Sequence, residues 1–290
     1  HRTDSGTHVY DLGQNIAGWV RLRLEAEPGT TITLRHAERL NPDGTLYTEN
    51  LRRARATDVI IVGPSGSIEW QPRFTFHGFQ YIELAGLKEA LPVEQVTGCL
   101  VRSMTPQAGQ FACGHQGINR LWQNALWSQW DNFLSVPTDC PQRDERLGWM
   151  GDAQIFLRTA TCNANVAAFF TKWLQDVRDA QTPEGIFPDT APRLREDLNF
   201  VGLDDLGGGP AWADGGITMP YLLWKVYGDL RLVQRGWEGM VAWMAYLERT
   251  NPGCLRTREL HNNYGDWLCL PSDREFRTQS PMKDLLATAY

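Results

Sequence analysis

The sequence predicts a multidomain β + α protein, in which an antiparallel β-sandwich over residues 1–103 precedes a helical domain over residues 104–290. Before Met104, short apolar segments alternate with turn residues at intervals of roughly ten positions, which is typical of antiparallel strands. Beyond Gln116, apolar residues recur at spacings of three and four, which is the period of an amphipathic helix. The period changes over residues 103–115, and we therefore place the domain boundary there.

The predicted strands rest on alternation and on turn residues. Residues 20–24 and 31–34 alternate polar and apolar side chains on either side of a Pro-Gly pair, which predicts two half-buried strands joined as a hairpin. Further strands are predicted at residues 58–62, 67–70, 81–84 and 93–101. An antiparallel sandwich is the package in which such strands bury one face each.

Amphipathic helices dominate the second half. Apolar stripes mark them at residues 116–134, 166–177 and 232–247. Two long loops lie at residues 182–216 and 251–281, and the first is rich in Gly, Pro and Asp. Loops of that length in a compact domain are usually functional, so we expect site residues on them.

Composition excludes several classes of partner. The net charge of -6 argues against nucleic acid, because nucleic-acid binders concentrate Lys and Arg on one surface. No apolar run is long enough to cross a membrane. The six cysteines show no metal-ligand spacing and are expected to be mostly buried thiols, which favours the cytoplasm over secretion. We expect no metal and no cofactor, and a homo-oligomer is compatible with the sequence.

An acidic segment stands out at the start of the helical half. The run Asp139-Cys-Pro-Gln-Arg-Asp-Glu-Arg-Leu-Gly-Trp-Met-Gly-Asp152 holds four carboxylates, two guanidiniums and one indole within 14 residues. A solvated salt-bridge cluster would explain the charges, whereas Pro, two Gly and the indole favour a folded loop with a functional role. Both interpretations remain open on these residues alone.

Crowded carboxylates suit the cleavage of glycosides. A glycosidase needs one carboxylic acid that donates a proton to the leaving oxygen and one carboxylate that activates water or attacks the sugar. Like charges nearby raise the pKa of a carboxyl, so one member of the cluster could hold its proton if Arg143 does not cancel the repulsion. The spacing does not show which member does so.

The acidic run resembles the signature of glycoside hydrolase family 78, the bacterial α-L-rhamnosidases. Residues 10–19, 35–40 and 74–83 resemble the β-sandwich that precedes the catalytic domain in that family, and residues 209–214 and 264–267 resemble two further family motifs. The resemblance covers essentially the whole chain. It implies a partial (α/α)6 toroid after the sandwich, and hydrolysis of terminal non-reducing α-L-rhamnose from rhamnosides with inversion.

The resemblance also implies roles for individual residues. Glu145 matches the family's general acid. The positions that match the substrate subsite are Asp139, Arg143, Asp144, Trp149, Asp152, Trp212 and Trp267. Trp212 and Trp267 are expected to form aromatic walls of the sugar pocket, because each lies beside an Asp in a Gly-containing loop.

One departure from the family pattern concerns length. We count about five helices and the start of a sixth, fewer than a complete toroid of six helix pairs needs. The family's general base is expected beyond these 290 residues, since Glu275 precedes the region where it should lie. The chain is therefore expected to be a fragment that is inactive alone.

Two alternatives remain at this point. A carbohydrate-binding fragment without activity would use the sandwich, although the carboxylates and Trp residues cluster in the helical half. A toroid-fold polysaccharide lyase would rely on Tyr, His or Arg, and His261 is the only histidine on a late loop. A lyase leaves an unsaturated product that absorbs in the ultraviolet, which separates it from a hydrolase.

Overall fold

The computed structural model describes residues 1–193, 207–258, 260–267 and 281–290. Its contacts divide the chain into two compact units. The first joins residues 1–103, 113–134 and 138–146, and the second joins residues 104–112, 135–137 and 147–290. The β-then-α order that the sequence predicts is confirmed in the described residues.

The first unit is built on β-strands. They are β1 (His8–Glu25), β2 (Thr31–Ala37), β3 (Arg39–Leu40), β4 (Leu46–Tyr47), β5 (Thr57–Ile61), β6 (Ser67–Trp70), β7 (His77–Ala85), β8 (Val96–Leu100) and β9 (Phe133–Leu134). Six of them form an antiparallel sheet with the order β5-β2-β7-β1-β6, in which β8 also pairs with β1. A small second sheet pairs β3 with β4. The second unit carries β10 (Val136–Pro137).

The predicted hairpin is wrong in its pairing. Both strands exist, but β7 lies between β1 and β2 in the sheet. Ile82 of β7 is opposite Tyr10 on one side and opposite His36 on the other. Alternation identifies a strand from its own residues, whereas the neighbour depends on contacts with a segment about fifty residues further along.

The first helix, α1 (Gln116–Asn132), folds with the β unit. Trp127 packs against the core of the sheet, and the backbone N–H of Ala17 donates to Asp131 Oδ1 at 2.9 Å. The pKa of Asp131 is raised to about 7, chiefly by burial and also by the nearby charge of Glu38, against the lowering effect of the Ala17 hydrogen bond. The helix is thus fixed to β1 through a buried carboxyl.

The remaining described helices belong to the second unit. They are α2 (Met150–Asn163), α3 (Ala167–Asp179), α4 (Gly215–Tyr227), α5 (Arg231–Thr250) and α6 (Pro281–Ala289). The predicted helices at 116–134, 166–177 and 232–247 are confirmed as α1, α3 and α5. No helix among the described residues is long and apolar enough to span a membrane.

Burial follows the predicted stripes only in part. On α3 the stripe is buried, including Phe170 and Trp173. On α5, Trp237 is 59% exposed.

The expectation of mostly buried thiols is wrong for the five described cysteines. Only Cys140 is buried, whereas Cys113, Cys162 and Cys254 lie exposed on loops or at a helix end. Cys269 lies outside the described residues.

Candidate active site

The acidic segment is irregular as far as Trp149, and Met150 begins α2. Its first part, residues 138–146, belongs to the β unit. Arg146 adopts a φ of 58°, which is uncommon for a residue with a Cβ. Its guanidinium lies 4.0 Å from the centroid of the Phe76 ring and donates to the Phe76 carbonyl at 2.8 Å. These contacts attach the end of the segment to the residues just before β7.

Gly78 of β7 allows the same segment to approach the sheet. A Cβ at this position would lie 2.9 Å from Pro141 Cγ and from the backbone nitrogen of Gln142. Side-chain carbons do not tolerate such distances, so any larger residue would push the acidic segment away. The glycine in the motif at residues 74–83 is therefore explained by a contact with the motif at 139–152.

Glu145 lies within a cluster of charges in the first unit, and its side chain is 11% exposed. Its Oε2 accepts from Arg143 Nε at 3.0 Å and from Arg52 Nη1 at 2.9 Å. Arg143 also donates from Nη2 to Asp139 Oδ2 at 3.3 Å. The Arg143 guanidinium thus joins the Asp139 and Glu145 carboxylates.

Asp144 has a different partner, since Arg53 Nε donates to its Oδ2 at 3.0 Å. Its Oδ1 is buried and has no hydrogen-bond partner in the described part of the chain. Every carboxylate of residues 139–146 therefore contacts a guanidinium. Like-charge repulsion, the expected source of a retained proton, is offset by Arg143 and by two arginines that the sequence did not indicate.

Cys140 is the one thiol of this cluster. Burial, together with the neighbouring Asp139 carboxylate, raises its pKa to about 12, so the group stays a thiol at neutral pH. Ligand atoms of Asp139, Cys140 and Glu145 lie within 4.8 Å of one another. The Arg143 guanidinium donates to both Asp139 and Glu145. A side chain therefore supplies the positive charge between these two carboxylates.

The aromatic candidates meet in the second unit. Trp149, Trp212 and Tyr264 are buried together with Leu147. The Tyr264 ring centroid lies 4.1 Å from that of Trp212, 6.2 Å from that of Trp149 and 5.7 Å from that of Trp267. Tyr264 is thus the centre of an aromatic cluster whose outer member, Trp267, is 56% exposed.

Asp189 fixes this cluster to the backbone. The carboxylate is fully buried and accepts from Tyr264 Oη at 2.7 Å and from the Gly209 backbone N–H at 2.8 Å. Its own carbonyl accepts from the Met150 N–H at 2.8 Å, at the start of α2. Asp189 therefore holds three groups in place, namely Tyr264, the backbone at Gly209 in the same loop, and the start of α2.

A cavity of about 330 Å³ opens beside the cluster. Trp212 and Trp267 both line it, together with Gln154, Pro210 and Asp266. Its volume lies within the range of small-molecule sites. A Cβ at Gly151 would lie 2.5 Å from the Trp212 ring, so this glycine allows the indole to lie against α2. Asp152 follows, exposed, in the first turn of α2.

The structure thus distributes the predicted site residues between the two units. Asp139, Arg143, Asp144 and Glu145 meet in the first. In the second, the aromatic cluster gathers Trp149, Trp212 and Trp267, and Asp152 lies on α2. The peptide bond between Arg146 and Leu147 connects the two sets. Glu275 lies outside the described residues.

Four further site residues were missed by the sequence analysis, namely Arg52, Arg53, Asp189 and Tyr264. Asp189 lies in a loop expected to be functional, and Tyr264 lies within a motif that resembles the family. The two arginines belong to a short basic run, and no local pattern distinguishes such a run from ordinary surface charge.

Comparison with known proteins agrees with both units. Residues 106–290 match the bacterial alpha-L-rhamnosidase 6 hairpin glycosidase domain, and residues 1–102 match the bacterial alpha-L-rhamnosidase concanavalin-like domain. An alpha-L-rhamnosidase of Streptomyces avermitilis is 44% identical over 286 residues, which are 98% of this chain and 26% of that protein. The chain thus spans about a quarter of the length of this curated relative.

Solved structures agree with the fold. The crystal structure of Streptomyces avermitilis alpha-L-rhamnosidase complexed with L-rhamnose matches with a TM-score of 0.88 and 44% identity, covering 99% of this chain and 26% of that one. The alpha-L-rhamnosidase of Dictyoglumus thermophilum matches with a TM-score of 0.88 and 35% identity, covering 99% and 31%. The expected β-sandwich followed by part of an (α/α)6 toroid is confirmed. With both domain models matched in order along its length, the chain belongs to the bacterial α-L-rhamnosidase family.

Proposed function

We propose that the full-length protein hydrolyses terminal non-reducing α-L-rhamnose from rhamnosides with inversion of the anomeric centre. The observation that carries this proposal is the carboxylate cluster around Glu145, in a chain of this family. The substrate class follows the relatives, one of which has a structure complexed with L-rhamnose. We keep residues 1–103 and 104–290 as the proposed domains.

Glu145 is the proposed general acid. Guanidinium N–H groups contact its Oε2 from two sides, and a protonated oxygen cannot accept these bonds as well as a bare one. The proton for the leaving oxygen therefore belongs on Oε1. In this arrangement the two arginines hold the carboxyl in place through Oε2.

The proposed substrate contacts combine hydrogen bonds and apolar walls. Asp139, Arg143, Asp144 and Asp152 are assigned to the sugar hydroxyls, because carboxylates accept hydrogen bonds from hydroxyl groups and a guanidinium donates to them. Trp149, Trp212 and Trp267 are assigned to the ring, because an indole face packs on the C–H side of a pyranose. The cavity lined by Trp212 and Trp267 supports that assignment.

Inversion also needs a carboxylate base that activates water on the opposite face of the sugar. The two carboxyl groups must lie about 6.5–9.5 Å apart, so that the water fits between them. We propose that the full-length protein supplies this base from outside the 290 residues.

The stereochemistry of the first product tests the proposal. Incubation of the full-length protein with an aryl α-L-rhamnoside should release rhamnose that is initially the β anomer, as followed by proton NMR before mutarotation. Initial formation of the α anomer would contradict inversion. An unsaturated product with ultraviolet absorbance would identify a lyase, and no structural observation favours that alternative.

Trp267→Ala tests the aromatic wall. Because Trp267 is 56% exposed, its removal should leave the fold intact and raise KM by roughly 5- to 30-fold, the equivalent of about 1–2 kcal/mol of lost contact. The matched control is Trp237→Ala, an indole that is 59% exposed on α5. Steady-state kinetics should show an unchanged KM in the control, and equal KM values in both variants would remove Trp267 from the subsite.

A further inference from the structure

Arg52 occupies an unusual backbone position in the β unit. It follows a short 3₁₀ turn at Glu49–Leu51, has a φ of 56° and donates its N–H to the Glu49 carbonyl. A residue with a Cβ is strained in this region and keeps it only when its surroundings impose it. Ala56, four residues further on, also has a positive φ of 44°. This connection is therefore held in an unfavourable conformation near the acidic segment.

The side chains at this turn pair with the acidic segment one to one, in the opposite chain direction. Arg52 Nη1 donates to Glu145 Oε2 at 2.9 Å, and Arg53 Nε donates to Asp144 Oδ2 at 3.0 Å. Two consecutive arginines thus meet two consecutive carboxylates from a distant part of the sequence. A chance surface salt bridge would involve one such pair, and it would not require adjacent residues of one segment to pair with adjacent residues of the other.

The Arg52 contact completes the environment of Glu145. Arg143 approaches the same Oε2 at 3.0 Å and is itself bonded to Asp139, so it alone cannot fix the direction of the carboxyl plane. The Arg52 guanidinium donates to the same oxygen from a second direction, which restricts rotation of the carboxyl plane. Charge-assisted hydrogen bonds of this kind are short and strong, and they restrict the rotamer of the acceptor. The Glu145 side chain is 11% exposed, whereas that of Arg52 is 53% exposed.

We propose that Arg52, a residue of the β-sandwich part, is a positioning residue for catalysis that acts through the Glu145 carboxyl. The proposal rests on the proposed function, because it needs Glu145 to be the general acid. Arg52 holds Oε2, so that the proton on Oε1 is directed to the leaving oxygen. The β-sandwich part thereby contributes to proton transfer, in addition to supporting the fold.

Arg52→Met in the full-length protein tests the role. It should lower kcat by roughly 10- to 100-fold on a rhamnoside with a poor leaving group, with a smaller change in KM, because misplacement of a catalytic group slows the chemical step. The loss should shrink on an aryl rhamnoside whose leaving group needs little protonation. Arg52→Lys keeps the charge without the planar fork and should restore part of kcat.

The pH profile provides a readout that a purely structural role would not move. The charged or titratable groups that the structure places at Glu145 include Arg52, Arg143, Asp139 and Cys140. Loss of one positive charge from this set favours the protonated carboxyl. The alkaline limb of kcat should therefore move to higher pH in Arg52→Met.

A double-mutant cycle with Glu145→Gln separates the possible failures. The effect of Arg52→Met should largely disappear when residue 145 is already Gln, because the arginine acts through the acid. A full effect in that background, or an unchanged pH profile, overturns the proposal for Arg52. If Glu145→Gln alone loses no activity, the proposed function of Glu145 fails instead. The matched control is Arg23→Met, which breaks an exposed pair with Glu69 in the same unit and should leave kcat unchanged.

Discussion

Substituting Glu145 with Gln is expected to lower kcat on a rhamnoside with a poor leaving group by about 10²–10⁴-fold, the usual contribution of a general acid. The amide keeps the shape of the side chain and can still accept from Arg52 or Arg143 through its oxygen. What it lacks is the proton for the glycosidic oxygen. The measurement is the steady-state kcat of the full-length variant on substrates that differ in leaving-group pKa.

Leaving-group dependence distinguishes an acid from a binding residue. On an activated aryl rhamnoside the loss should be much smaller, because the departing phenolate needs little protonation. The control is Glu69→Gln, an exposed carboxylate of the β unit that pairs with Arg23. Equal losses on good and poor leaving groups would assign Glu145 to binding, and Asp139 would become the next candidate for the acid.

Asp214→Ala is expected to produce the largest loss of stability, a decrease of about 3–5 kcal/mol in the free energy of unfolding. The Asp214 carboxylate accepts from Trp243 Nε1 at 3.0 Å, from Arg256 Nη1 at 2.8 Å and from the Ala211 N–H at 2.8 Å. Arg256 is 11% exposed in its side chain, so the substitution leaves a largely buried charge without this partner.

Scanning calorimetry of the full-length protein would measure this loss as a lower melting temperature for the transition of the catalytic domain. The matched control is Asp229→Ala, which breaks an exposed pair with Arg231 at 2.7 Å. We expect a much smaller shift for the control, because solvent screens exposed pairs. Similar shifts in the two variants would show that the Asp214 network adds no more stability than a surface contact.

The success of prediction from the sequence differed between local and long-range features of the fold. The periods of the apolar residues identified α1, α3 and α5, because a helix exposes its pattern within its own residues. The same argument found β1 and β2 but paired them wrongly, since β7 comes to lie between them only through tertiary contacts. The helical period also predicted burial where there is none, since Trp237 lies on the apolar stripe of α5 and its side chain is exposed.

For the candidate site, resemblance of the acidic run singled out Glu145 and its neighbours as candidates, and spacing alone did not distinguish among the carboxylates. The contacts made by Arg52 and Asp189 could not be predicted in the same way. Arg52 is 93 residues from its partner in the sequence, and the role of Asp189 depends on the simultaneous positions of Gly209 and Tyr264. Such contacts follow from the assembled fold, and a single sequence contains no periodic trace of them.

The composition of the first compact unit determines where this chain can be joined to part of another protein without disturbing the acidic segment. Residues 138–146 fold with the β-sheet, so a recombination junction near residue 103 would separate the acid loop from the glycine and the two arginines that hold it. A chimera made there would combine an acid loop from one parent with an anchoring surface from another. A chimera joined near residue 103 is therefore expected to keep its acidic segment in place only if Gly78 and the Arg52 turn come from the same parent as that segment.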